Sequence, residues 1–225
     1  MAVVLNLETA TKNCSVSIGV NGDCKAVVEA HADKYIHSEK LHQFIQKALD
    51  DSGIKFSDLN AIAVSNGPGS YTGLRIGISA AKGLCYALNI PLIALNTNDI
   101  LVARLTNHPP EATFFSVIDA RRNEVFGRFY TAEKEPITEI EAIELAKGMF
   151  AEYGKNGLLI IGDAAQKTAD ILGLVNVEIH HELPSAKHMA SLAEEQFEAK
   201  DFANLAYHEP YYLKEFIAGK PRKML

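Results

Sequence analysis

Apolar and polar residues alternate over the first thirty positions and again around position 120, and helical spacing follows each alternating stretch. Residues 2–7, 14–20 and 24–30 read as strands, and Asn21-Gly22 is a tight hairpin turn, so they form a meander. Residues 35–52 then read as a helix, with Leu41, Phe44, Ile45, Ala48 and Leu49 on one face and Lys40, Gln43 and Lys47 on another. Residues 58–65 and 90–95 are strands, and a helix over 98–105 ends before His108-Pro-Pro110. A second meander, 114–118 and 124–130 about the turn 119–123, echoes the first. The spacing predicts a helix over 140–153, a buried strand over 158–161 ending at Gly162-Asp163, and an amphipathic helix over 187–200. A strand-rich segment followed by alternating helix and strand, twice over, predicts an α/β chain in two lobes, 1–106 and a smaller 107–225.

Between the strand ending near Ser65 and the next helix lies Asn66-Gly-Pro-Gly-Ser-Tyr-Thr-Gly-Leu-Arg75. The glycines and proline end the strand, and Ser70 or Thr72 can cap a helix running to about Leu88. On that helix Arg75, Ser79, Lys82 and Tyr86 form one narrow polar stripe, which leaves two faces to bury. Tyr71, Leu74, Ile78, Ala81, Cys85 and Leu88 have the spacing of a helix–helix seam. Gly73, Gly77 and Ala81, four apart, would let a neighbouring backbone approach, which offsets a helix cost of about 1 kcal/mol per glycine. A glycine-rich turn at a helix start also suits a phosphate. Neither the P-loop nor the dinucleotide fingerprint fits, because no Gly-Lys-Ser/Thr follows and Thr72 replaces the last glycine.

The string Gly67-Pro-Gly-Ser-Tyr-Thr-Gly-Leu-Arg-Ile-Gly77, with Ala81-Lys-Gly-Leu84, resembles the signature of the TsaB (YeaZ) family. So do Leu5-Asn-Leu-Glu-Thr-Ala-Thr11, His37-Ser-Glu39, Asp119-Ala-Arg121 and Glu124-Val125, so the resemblance spans most of the chain. It implies the two-lobed actin/Hsp70/sugar-kinase-like (RNase-H-like) α/β fold. It also implies a non-catalytic subunit of the complex that makes N6-threonylcarbamoyladenosine at position 37 of tRNA. Such a subunit binds a TsaD-like catalytic subunit, works with a TsaE-like ATPase, meets tRNA mainly indirectly and carries no cofactor. On this reading Tyr71, Gly73, Leu74, Gly77, Ile78 and Ala81, with Leu41, Phe44 and Ile45, form the partner interface, and the isolated chain pairs with itself through the same seam. In the superfamily the first strand-to-strand turn faces phosphate; Glu8, Thr9 and Thr11 occupy it here, with Glu8 where Asp is usual. Asp119 and Asp163 end apolar strands, where α/β folds place functional carboxylates, and Asp119 joins the candidate contacts.

Composition narrows the alternatives. The 225 residues are 48% hydrophobic with a net charge of −6, so a sizeable core is expected and nonspecific attraction to nucleic acid is disfavoured. The basic cluster Lys214, Lys220, Arg222 and Lys223 reads as a solvated tail. No apolar run reaches the roughly 18 residues of a membrane span, and no basic leader precedes the first strand, so a cytoplasmic protein is expected. Cys14, Cys24 and Cys85 lack metal or disulfide spacing. His37 and His42, five apart, cannot share a metal on one helix face, so no metal site is expected. The competing reading is an active enzyme, a small-molecule kinase or a glycoprotease-like peptidase. No Gly-x-Ser-x-Gly elbow or activated cysteine supports it.

Overall fold

A computed structural model describes residues 2–32, 36–153 and 157–214. The first sheet has the order β3-β2-β1-β4-β5, built from β1 (Val3–Glu8), β2 (Asn13–Val20), β3 (Asp23–His31), β4 (Ala61–Gly67) and β5 (Leu92–Asn96). β1, β2 and β3 are antiparallel, as the Asn21-Gly22 turn dictates, with Asn21 and Gly22 at φ 53° and 83°. β4 and β5 join parallel to β1, because a helix intervenes before each. Those helices are α1 (His37–Ser52) and α2 (Tyr71–Leu88), and α3 (Thr97–Ala103) leads into the second sheet.

The second sheet repeats the plan. Its order is β10-β9-β6-β7-β8, from β6 (Thr113–Asp119), β7 (Glu124–Tyr130), β8 (Glu141–Glu144), β9 (Leu158–Ile161) and β10 (Val177–His180). Again three strands are antiparallel and two are added in parallel. This is the expected α/β architecture of two mixed sheets with flanking helices.

The expected helix over 140–153 is not formed. Glu141–Glu144 instead pairs as β8 with the edge of β7, and Leu145 N–H donates to the Asn123 carbonyl. Edge pairing satisfies the same backbone groups, and left-handed φ values at Gly148 and Phe150 break any helical continuation. Phe150 and Tyr153 pack with Phe115 and Phe129. Two elements were not anticipated as such, α4 (Ala165–Leu172) and β10.

The last helix, α5 (Met189–Ala199), was expected among residues 107–225 of the second lobe, yet it packs on the first sheet. Met189 and Ala193 are buried with Ala2, Val4, Ala61, Ala63, Ile93 and Leu95. α1 and α2 therefore cover one face of that sheet and α5 the other. Asn98 of α3 ties the lobes, donating to Ser116 and to the Phe126 carbonyl. After α5 the chain returns along α2: Ala203 bridges to Leu92, Lys82 donates to the carbonyls of Ala206 and His208, and Tyr211 N–H donates to Asn66 O at 2.8 Å. Of the basic tail, Lys220, Arg222 and Lys223 lie outside the described residues, as does Tyr35 of the first expected helix.

Candidate functional site

The turn into α2 forms as its residues require. Ser70 Oγ caps the helix by accepting from Gly73 N–H at 3.3 Å, while Ser70 N–H donates to Ala10 O at 2.6 Å. The small residues then serve a purpose within the lobe. A Cβ on Gly69 would lie 2.4 Å from Ala10 O, one on Gly73 2.2 Å from Thr9 O, and one on Gly77 2.2 Å from Thr9 Oγ1. The stripe lets the β1–β2 turn lie directly on α2.

Most of the expected interface residues are turned inward. Gly73, Leu74, Gly77, Ile78 and Ala81 are buried in their own lobe, and so are Leu41 and Ile45 of α1. The seam spacing is real, but it is answered by the chain's own sheet and its β1–β2 turn. Of the expected contacts, Tyr71 and Phe44 remain half-buried. The Tyr71 ring stacks on Tyr212 at 4.9 Å with the Arg75 guanidinium over it at 4.6 Å.

The second apolar face of α2 is only partly covered. Ile76, Ala80 and Leu84, spaced by four, lie beside Ser79 and Gly83 and face Ser38 and His42 of α1 across a groove of about 540 Å³. All seven lining residues are half-buried or exposed, and a Cβ on Gly83 would meet nothing within 4 Å. The signal was present in the single polar stripe, which left two faces to cover; spacing alone could not say which face the lobe would keep.

The Glu8 turn is sealed. Glu8 and Thr9 are fully buried, and Thr11 nearly so. Glu8 Oε1 accepts from Ala10 N–H at 2.6 Å, whereas Glu8 Oε2 and Thr9 Oγ1 have no partner among the described residues. Burial pushes the Glu8 carboxyl up to about 7, against hydrogen bonds from Ala10, Ser65 and Thr9 that pull it down. With Thr9 O facing Gly73, the turn braces α2, and neither Glu8 oxygen reaches the surface.

Asp119 lies elsewhere, at the carboxyl end of β6. Its backbone N–H donates to Asp163 Oδ1 at 2.8 Å, and its carboxylate accepts from Arg121 N–H and pairs with Lys167. Burial, with the neighbouring Asp119 charge adding to it, raises Asp163. The sequence placed both carboxylates correctly at strand ends but not their contact with one another. Among the described residues no group of three or more His, Cys, Asp or Glu side chains could hold a metal ion.

Residues 31–217 match the family model described as TsaD, tRNA N6-adenosine threonylcarbamoyltransferase. The tRNA threonylcarbamoyladenosine biosynthesis protein TsaB of Bacillus subtilis is 30% identical over 79% of this chain and 80% of its own length. The chain belongs to the TsaB (YeaZ) family. The Escherichia coli TsaB is 29% identical over 96% of both chains. The solved YeaZ of Pseudomonas aeruginosa superposes with a TM-score of 0.81 at 25% identity, over 95% of this chain and 100% of that one. Membership places the chain in threonylcarbamoyladenosine biosynthesis. Among the described residues no helix is long and apolar enough to cross a membrane.

Proposed function

We propose that this TsaB-family chain is the non-catalytic subunit of the cytoplasmic tRNA threonylcarbamoyladenosine complex, and that it binds a TsaD-like catalytic subunit through the outer flank of α1 and α2. A TsaE-like ATPase joins the larger assembly, and tRNA is held mainly by the other subunits. The observation that carries the reading is the groove of Ile76, Ala80, Gly83 and Leu84 against His42. It is a partly covered apolar strip on helices whose Leu41, Ile45, Leu74, Ile78 and Ala81 are buried in the lobe, a shape into which another protein's side chains could pack. The sealed Glu8, whose carboxyl burial pushes up, supports a structural role for the turn that superfamily enzymes present to phosphate.

Gly83→Arg tests it, since a Cβ there meets nothing within 4 Å in this lobe while a long side chain would stand in the partner's path. Binding to the TsaD-like subunit, measured by calorimetry, should weaken more than tenfold, over about 1.4 kcal/mol. Unchanged affinity would remove the groove from the interface. In the absence of its partner the chain should pair with itself through the same groove, which sedimentation would detect. The family model's description as a transferase keeps an enzymatic reading in play. That reading requires turnover by the isolated chain that Asp119→Asn or Glu8→Gln abolishes.

A further inference from the structure

The hairpin between β6 and β7 presents two arginines in an unusual way. Arg121 and Arg122 are both exposed and both left-handed, at φ 71° and 49°. Side chains with a Cβ resist that conformation, so consecutive examples require support from around them. The support is visible. Arg121 N–H donates to Asp119 Oδ1, Lys167 Nζ donates to Arg122 O at 3.1 Å and to Glu124 O at 2.8 Å, and Ala120 N–H donates to Glu124 O. These bonds hold the turn closed with both arginine side chains on its exposed side.

Among the described residues, the charges around it leave the two guanidinium groups without an ion pair. Asp119 is taken by Lys167 and Glu124 by Lys214. Among the described residues Arg75 lies over Tyr71, Arg104 pairs with Glu182 and Arg128 with Asp99. Arg121 and Arg122 have no such partner among the described residues, in a chain of net charge −6.

We propose that the Arg121–Arg122 tip is a phosphate-backbone contact for RNA, through which this subunit touches the tRNA directly. Paired planar guanidinium groups held on a fixed backbone suit successive phosphodiesters, and they need no base contact. The inference rests on the reading that the chain serves tRNA modification, but it concerns a surface distinct from the α1/α2 groove.

The test is the Arg121→Asn/Arg122→Asn double variant, because asparagine tolerates left-handed φ and the hairpin should keep its shape. tRNA affinity is measured across a salt series, for the isolated full chain and for its assembly with the TsaD-like subunit. The variant should bind tRNA about tenfold more weakly in either form, and its logarithmic salt slope should be shallower by about 1.5, as for two lost phosphate contacts. Arg121→Lys/Arg122→Lys should recover most of the affinity, and melting and subunit association should not change. Equal affinities and equal slopes for wild type and double variant, in both forms, would overturn the proposal. So would a loss confined to an acidic polypeptide such as polyglutamate, which would assign the tip to a protein. Failure of the subunits to associate would sink the groove reading instead, and the isolated chain would still report on the tip.

Discussion

A carboxyl group shut away from water makes stability depend on pH, and Glu8 is such a group. Its ordinary value of 4.5 is pushed to about 7 by burial, so the folded chain holds this proton more tightly than the unfolded one. The stability it supplies is complete below pH 4.5, falls as pH rises through about 7, and is level above. The full span corresponds to about 3 kcal/mol. Glu8→Gln cannot ionise, so urea midpoints should show wild type losing stability relative to the variant between pH 5 and pH 8. Parallel curves would mean that Glu8 ionises freely. The glycines beneath the same turn make a sharper pair. Gly73→Ala would press on the Thr9 carbonyl, which is backbone, whereas Gly77→Ala would press on the Thr9 hydroxyl. Both should lower stability by about 1–3 kcal/mol. Thr9→Ala should restore much of the loss at Gly77 and none at Gly73; equal rescue in thermal unfolding would disprove this packing.

At the scale of elements, α2 was legible because its signals are local: a strand stopped by Gly67-Pro-Gly69, a Ser70 cap, and a single polar stripe. What lies against each face is not a local property. The seam of Leu74, Ile78 and Ala81 looked like the complement of a foreign helix, yet the chain's own β1–β2 turn and sheet fill it. Residues 140–153 failed for a related reason. Their composition favours a helix, but the open edge of β7 competed for the same backbone groups and won. The part of α2 left over is the outer flank, and here helix propensity and partner binding can be set against each other. Gly83→Arg removes a glycine from a helix interior at a point where a Cβ meets nothing within 4 Å, so it should stabilise the isolated chain by up to about 1 kcal/mol. A lower melting temperature would show that Gly83 is needed by its own lobe, and the association test would lose its control.

For the whole molecule, the two sheets share one plan, but the chain does not divide cleanly between them. Alternation and helical spacing reveal the order of elements, so the repeated meander could be read; the return of α5 to the first sheet is a long-range contact with no sequence signature. That return completes the first lobe. Met189, Ala193 and Ala186 seal Val4, Ala63, Ile93 and Leu95 on the face opposite α1 and α2. Glu194 accepts from Ala2 N–H, and Ser17 Oγ donates to Ala186 O at 2.7 Å. A fragment of residues 1–106 has every strand of its sheet and both long helices, but it would leave that face in water. Burial of one large side chain such as Met189 is worth about 2–5 kcal/mol when lost to alanine, a large share of the 5–15 kcal/mol that holds a typical domain together. The fragment should therefore unfold without a cooperative transition and bind a hydrophobic dye. A peptide of residues 184–214 added in trans should restore both a sharp melting curve and protection of β1 and β5 amides from exchange. A fragment that melts cooperatively at the temperature of the full chain would show instead that α5 merely rests on a lobe already complete, and that the second lobe extends from residue 107 to the end.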